Sequence, residues 1–513
     1  MRITNKIMQN NNLANINTNK IYQDNLSNQM STQKKITKPS DDPVVAIRAL
    51  RLRSSVTEIT QYYSKNIPDA ESWLSVTEDA LSNLSQIITN MISECTRGSN
   101  GDLTTKDRQI ILEQLKALGD EIYTTGDSDY AGRYVFTGYR TDRSLRFPAE
   151  TEQDYTITEH IKCDTIDTVN HVEYGKLMDL NGGNYQTMTD VKESAVSSQE
   201  VHRIRLSYDE CAKGATISFQ NAAGKTVTWS TDRNLNPNAR IKEANSYDDP
   251  NQYKAAAEDD NALIYLKDTG EILLGKNRYE TLMNTKDKVE TTEDEALISV
   301  TYNKSSFDKN DLRPEHYFQC TSDGVEYNPN YADATLEKQA IEYDVGFNQT
   351  VRVNTTAEQC FKHGIGRTVD DLVGALTEVL DLEESKTKIK GLLGTKSGDD
   401  AKLLQQQYDA VEKALTLSKD KCQKLFEKDI TAFQGYLDDT NLCITDCGTR
   451  SSKLSLIKNR MQNQKTTFET LKSENEDIDI AEVAIQLSSA GMTYEAALMA
   501  TGKVMQTSLL NFI

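Results

Sequence analysis

The chain has 513 residues, enough for about two to four domains of ordinary size. It is polar and acidic: 37% hydrophobic, 27% charged, mean hydropathy −0.62, with 58 Lys and Arg against 78 Asp and Glu and a formal net charge of −20. That balance argues against a dedicated nucleic-acid binder, which needs a basic face for phosphates, and no run approaches the ~20 apolar residues that span a bilayer.

The opening MRITNKIMQNNN carries charge but no apolar core, so no Sec-type leader is expected. The first 38 residues are Asn-rich and basic. Ile3, Ile7, Leu13, Ile16, Ile21, Leu26 and Met30 make only a sparse stripe. Such a segment buries too little apolar area to offset its ordering entropy, so poor order is expected in an isolated chain. A long helical pattern follows Pro39-Ser40-Asp41-Asp42-Pro43. Ser40 can cap it, Asp41 and Asp42 complement the helix dipole, and Pro43 is tolerated in a first turn. Leu74, Leu81, Leu84, Ile88 and Met91 then recur at heptad spacing, until Gly98-Ser99-Asn100-Gly101 ends the pattern. A run this long implies a coiled coil or a long bundle. The basic run Arg48, Arg51, Arg53 reads as a solvated face or as subunit-contact salt bridges. A second helix is expected from Lys106 to Thr124, with Ile111, Leu115, Leu118 and Ile122 on one face.

Residues 148–363 read as an inserted, β-rich variable domain. Ala215–Gln220 and Lys225–Ser230 flank Asn221-Ala222-Ala223-Gly224 as a hairpin; Ala262–Leu266 and Glu271–Gly275 flank Asp268-Thr269-Gly270 as another. Leu297–Tyr302 and Ile341–Asn354 add strands, and Leu235–Asp260 reads as loop. Helix returns at Thr368, a plausible cap before Leu372, Leu376 and Val379. A long pattern from Asp400 to about Glu474 carries the seam Leu454, Ile457, Met461, Gln464, Phe468, Leu471. The last segment continues through Leu487, Tyr494, Leu498, Met505 and Phe512. Its other faces are Ala and Ser with few charges, so it needs partners to cover it.

The fold class expected is therefore α+β: a long antiparallel, coiled-coil-like helical rod from both ends of the chain, with the β-rich domain in its middle. The divisions are 1–42 with 477–513 as terminal helices, 43–147 with 364–476 as rod, and 148–363 as insert. The assembly and packing candidates are Leu74, Leu81, Leu84, Ile88, Met91, Leu454, Met461, Phe468, Leu487, Leu498, Met505 and Phe512, with Ser40, Asp41 and Asp42 as the helix-cap motif.

Catalytic signatures are missing from the sequence. Gly391-Leu392-Leu393-Gly394-Thr395-Lys396-Ser397 has the wrong spacing for a phosphate loop. No GxGxxG follows a strand and no HExxH occurs. His160, His171, His202, His316 and His363 stand apart. Cys443 and Cys447 share a helix face but are two ligands where a structural zinc needs four; His316 and Cys320 have the same spacing. The eight cysteines (the others being Cys95, Cys163, Cys211, Cys360 and Cys422) are scattered, so free thiols are expected. No enzyme activity, cofactor or metal is expected. Tyr265, Tyr302 and Tyr317 could bind a partner if exposed, but core packing is the default.

Several segments resemble the flagellin-like family. They are Met1-Arg2-Ile3-Thr4-Asn5; Gln29-Met30-Ser31-Thr32-Gln33-Lys34-Lys35-Ile36 followed by Lys38-Pro39-Ser40-Asp41-Asp42-Pro43; and Gly132-Arg133-Tyr134-Val135-Phe136-Thr137-Gly138-Tyr139. To these add Gly346–Asn354 with Thr355, Gln359 and Phe361, Gly448-Thr449-Arg450, and the closing Ser508-Leu509-Leu510-Asn511-Phe512-Ile513. Gln33 stands where the family usually has Gly. Both chain ends are similar to the hook–filament junction members rather than to filament flagellin; the alternative is a filament flagellin or a flagellin-like accessory subunit with a binding insert. The resemblance implies a secreted, extracellular flagellar subunit, exported unfolded without cleavage. Its terminal helices would order on assembly, and its partners would be copies of itself, the adjacent hook-associated junction protein, flagellin and an export chaperone.

Overall fold

The computed structural model describes residues 5–180, 183–221, 224–232, 240–248, 251–286, 298–329 and 339–506. Met505, whose side chain is not placed, and Phe512, Leu297 and the segments Met1–Thr4 and Ser508–Ile513 lie outside the described atoms. Helices α1 (Asn5–Thr32) and α2 (Pro43–Gln61) lead through five π-helical residues, Tyr62–Asn66, into α3 (Ile67–Gly98) and α4 (Thr105–Gly126). Strands β1 (Asp129–Tyr130), β2 (Arg133–Tyr134), β3 (Thr151–Ile161), β4 (Asp167–Glu173), β5 (Ser197–Arg205), β6 (Ala215–Gln220), β7 (Thr226–Ser230) and β8 (Lys242–Ala244) precede α5 (Gln252–Glu258). The hairpin β9 (Leu263–Leu266) and β10 (Glu271–Leu274), α6 (Lys276–Lys286), β11 (Ile298–Phe307), β12 (Gln319–Ser322), β13 (Val325–Tyr327), β14 (Glu342–Gly346) and β15 (Gln349–Arg352) complete the middle. Then come α7 (Ala357–Cys360), α8 (His363–Leu393), α9 (Asp399–Glu476) and α10 (Ile480–Gln506). Long helices at both ends and a β-rich centre make this an α+β chain.

It divides into a terminal unit, Met1–Glu71 with Tyr343–Val351 and Ser452–Ile513, and a central unit, Ser72–Glu342 with Arg352–Ser451. In the central unit two sheets are built, ordered β13-β12-β3-β11-β6-β7 and β4-β5-β10-β9-β8. Neighbouring strands are antiparallel except β8 and β9. One core joins them: Tyr155, Ile217, Val300 and Tyr302 from the first sheet meet Ile204, Tyr265 and Ile272 from the second. β3, β6 and β11 bury alternate residues into that core, whereas β9 and β10 are buried on both faces. Gly270 turns the β9–β10 hairpin with φ +65°, and a Cβ there would lie 1.8 Å from the Tyr208 carbonyl oxygen, so only glycine fits.

The helices of the central unit are antiparallel neighbours. Leu74 and Gly98 of α3 meet Cys447 and Phe426 of α9, and Arg108 and Gly119 of α4 meet Glu383 and Val369 of α8. The heptad residues Leu74, Leu81, Leu84, Ile88 and Met91 are all buried. Thr104 and Asp107 form a capping box at the start of α4.

α1 is helical over Asn5–Thr32 and packs against α10 through Leu26. Several expectations change. The cap of α2 is Asp42, not Ser40: Pro43 occupies the first helical position, and Asp42 Oδ1 accepts from the amides of Val44 (2.9 Å) and Val45 (3.2 Å). Asp41 instead holds the preceding turn, accepting from the amides of Thr37 and Lys38. Thr368 lies inside α8, which begins at His363. Gly364 and Gly366 look like breakers, but they give room to Tyr436 and Tyr123, whose rings press against the helix. Part of 235–260 is ordered as β8 and α5. Asn251 caps α5, and β9 supplies the hydrogen bonds of β8, a distant partnership that local composition does not show.

Candidate assembly surface and buried charges

Apolar side chains face water in the terminal unit. α1 and α10 run antiparallel: Leu26 meets Val483 and Ala490, ringed by Met30, Ile478 and Leu487. Farther along, Tyr22 reaches Gln486 at 3.5 Å. Among the described side chains of α1 only Leu26 is buried. Ile7, Leu13 and Ile21 on α1 are exposed, as are Ile480, Ile485 (71%), Met492, Leu498 (45%) and Met499 on α10. On α2, Ala46 and Ala49 face inward while Val44, Ile47 and Leu50 (65%) line one exposed face at three-residue spacing. Covering one such side chain is worth about 1.5–3 kcal/mol, so this unit carries a large unused capacity for association.

The expected assembly residues therefore separate. Leu454 and Met461 are buried within the terminal unit, Phe468 and Leu487 are half-buried, and Leu498 is exposed. Leu84 is a core residue of the central unit, so a charge there acts on folding rather than on a surface. Tyr265, Tyr302 and Tyr317 are buried, which leaves none of them to a surface ligand.

A clasp closes the terminal unit. Glu476, 4% exposed, takes a bidentate hydrogen bond from Arg53 (2.7 and 2.8 Å), and Lys34 bonds Asp477. The backbones of 33–35 and 476–478 pair through Lys35 N to Glu476 O (2.8 Å) and Ile478 N to Gln33 O (3.3 Å). Arg53 is thus spent within the chain, while Arg48 and Arg51 stay exposed. The Arg53 hydrogen bond holds the Glu476 carboxyl below its usual range. Its contribution is complete above the ordinary carboxylate pKa and is lost as pH falls through the lowered value.

Gln33 follows the last residue of α1 with φ +57°, the left-handed conformation that glycine adopts freely. The turn expected of a glycine is made by a strained glutamine. Gln33→Gly is expected to raise the stability of the terminal unit by roughly 0.5–1 kcal/mol, read as a later urea midpoint. A midpoint moved earlier would show that the Gln33 side chain matters more than its φ.

The π-helical segment also lies in the terminal unit. Asn66 donates to the Asp344 carbonyl (2.8 Å), Tyr343 bonds Asp69, and Tyr62 meets Phe347 edge-on at 5.8 Å. The β14–β15 hairpin thus seats on the one widened turn of an otherwise α-helical stretch. Sequence periodicity carries no signal for this.

In the central unit, charge joins the second sheet to the helices. Arg203 and Arg205 on β5 both engage Glu271 on β10 and Asp371 on α8; Arg203 also faces Asp167, which Lys428 of α9 bonds in turn. Burial opposes the charge of Arg203, but the three carboxylates outweigh it and hold the guanidinium firmly protonated. Asp429 on α9 is the unbalanced member. It is buried, Oδ2 has no hydrogen-bond partner, and burial pushes its carboxyl up to about 7 despite Lys428 and Arg203 nearby. Its ionisation therefore costs stability as pH rises from about 4 to 7. Asp429→Asn is expected to raise Tm at pH 8 by several degrees and to change it little at pH 4. An equal shift at both values would mean that Asp429 is not neutral in the fold.

Among the described residues no group of three or more His, Cys, Asp and Glu could hold a metal ion, and no helix is long and apolar enough to cross a membrane.

Residues 3–141 match the family model described as the bacterial flagellin N-terminal helical region. Over these residues the chain is similar to the N-terminal helical region of flagellins. Flagellar hook-associated protein 3 of Salmonella typhimurium is 32% identical over 143 residues, which are 28% of this chain and 45% of that protein; its Escherichia coli counterpart is 30% identical over the same shares. A flagellin of Clostridium tyrobutyricum is 29% identical over 122 residues, 24% of this chain and 32% of the flagellin. The chain thus spans under half the length of these curated relatives. Among solved structures, flagellar hook-associated protein 3 of Legionella pneumophila aligns at 10% identity over 83% of this chain and 98% of that one, with a TM-score of 0.29. The Xanthomonas campestris protein FlgL aligns at 12% over 82% and 99%, with the same TM-score. Scores this low mark a likeness too loose to transfer any element.

Proposed function

We propose that this chain is a structural subunit of the bacterial flagellum that forms the junction between the hook-associated layer and the filament. The observation that carries the reading is the flagellin-type arm, residues 3–141, together with the exposed apolar faces of α1, α2 and α10. Those helices are held by a small buried cluster and one clasp, so most of their apolar surface is available to neighbours. Assembly then completes their burial, and ordering and association are coupled. Head-to-tail repetition of one contact builds a helical layer that does not close on itself. Export precedes assembly in this reading, with a chaperone covering α10. The partners are copies of the chain, the adjacent junction protein and flagellin. No catalytic role is part of it.

The second reading is a filament subunit, for which the likeness is weaker: 29% identity over 32% of a flagellin against 32% over 45% of hook-associated protein 3. Deletion of the gene in its source bacterium, with electron microscopy of the flagella and a blot for flagellin in the medium, separates the two. Hooks without filaments and flagellin shed into the medium support the junction role. Normal or merely thinned filaments reject it, and a copy number in the thousands per flagellum would indicate a filament subunit.

A further inference from the structure

All eight cysteines are free thiols, and seven are buried; Cys443 on α9 is the partly exposed one. The thiol of Cys443 interacts with that of Cys360, the last residue of α7. The backbone frame around this contact is well tied. Cys360 Sγ donates to the Thr356 carbonyl at 3.5 Å, and two residues on, Lys362 Nζ bonds Asp439, one turn before Cys443. Two residues further, Gly364 lies so close to Tyr436 that a Cβ would stand 2.6 Å from the phenol oxygen. Residues 360, 362 and 364 thus run antiparallel along 443, 439 and 436, which brings the two cysteines to one end of that contact. Cys447 shares the helix face but is engaged elsewhere: its Sγ points to the Leu74 carbonyl at 3.5 Å.

We propose that Cys360 and Cys443 form a dithiol pair that closes into a disulfide by exchange with a small-molecule disulfide such as oxidised glutathione, tying α7 to α9. Cys443 is the attacking sulfur. It is the one thiol of the eight that is not buried, and its interaction with Cys360, with Lys362 assisting, holds it below its ordinary pKa, whereas burial pushes the other perturbed thiols up. The Cys443 thiolate attacks one sulfur of the glutathione disulfide and expels a glutathione thiolate, which takes up a proton. The Cys360 thiol then gives up its proton and attacks Cys443 Sγ, and the second glutathione leaves as the thiol. Two protein thiols are oxidised to one disulfide, and one glutathione disulfide is reduced to two glutathiones. The bond closes the loop from 360 to 443, which holds all of α8, so the constraint on the unfolded chain is large. It fastens the segment that leaves β15 to the longest helix of the chain.

The test uses the full-length protein, folded and reduced, then incubated with oxidised glutathione, alkylated and mapped without reductant. The expected product is a linked pair of peptides containing Cys360 and Cys443, an intact mass lower by two hydrogens, and a Tm raised by several degrees. Dithiothreitol should reverse the shift. Cys443→Ser should abolish the link and the shift, and Cys447→Ser should leave both in place. Full alkylation of Cys360 and Cys443 after oxidation would overturn the proposal, as would Cys443 carrying only glutathione or pairing with Cys447. The wild-type peptide map decides even if a serine variant folds poorly.

Discussion

Arg203→Ala is expected to destabilise the central unit by about 3–5 kcal/mol, the cost of removing one partner from a buried charge network. Arg203 is 9% exposed and faces Glu271, Asp371 and Asp167. Without it, Arg205 alone must neutralise Glu271 and Asp371, and Glu271 has almost no access to water to relax. Glu271 and Asp371 are both lowered from their ordinary carboxylate values: burial works to raise them, and the two arginines outweigh it. The network therefore stabilises above the ordinary carboxylate pKa and fails as pH falls through the lowered values. Arg203→Lys should fall between the two, because one ammonium cannot reproduce the fork that meets Glu271 and Asp371 together. Urea unfolding of the full chain, followed by the fluorescence of Trp73 and Trp229, both buried in the central unit, gives the measurement. A loss under about 1 kcal/mol for Arg203→Ala would show that the cluster is solvated and adds little.

Leu498→Asp is expected to abolish incorporation into flagella while leaving the fold intact. Leu498 is exposed on α10 and belongs to no buried cluster, so the substitution removes little contact from the chain itself. In an assembled layer the same position would carry an uncompensated charge into an apolar contact, at a cost of several kcal/mol per subunit repeated at every contact. Circular dichroism and the urea midpoint should match the parent, and the variant should fail to restore filaments in the deletion strain. Normal incorporation would remove α10 from the assembly surface. Leu84→Asp provides the contrast: Leu84 is fully buried in the central unit, so that variant should fail by unfolding, with both readouts lost together.

Much of the secondary structure was legible because its signals are local. The heptad spacing of Leu74 to Met91 placed a buried seam, the one-face spacing of Ile111, Leu115 and Ile122 placed α4, and the turn residues of 268–270 marked a hairpin. The hydrophobic stripe of 487 and 498 marked a helix that lacks cover, and the flagellin-type segments pointed to the same assembly. These depend on periods of 3.6 and 2 and on turn chemistry, which neighbouring residues carry among themselves.

The rest needed residues far apart in the chain. Whether a stripe is core or surface depends on what packs against it, and so Leu84 is buried while Leu498 is open, though both sit on similar seams. The cap moved from Ser40 to Asp42 because the position of Pro43 sets the frame. β8 exists because β9 pairs with it, and α1 lies against α10. The clasp of Arg53 with Glu476, the ties of Arg203 and the nearness of Cys360 to Cys443 join residues 36 to 423 positions apart. Sequence alone determined the helix–strand–helix order and an apolar, unpartnered end. Tertiary packing decided which charges are buried, which thiols meet and which leucines face water, because burial and charge compensation are properties of neighbours in space.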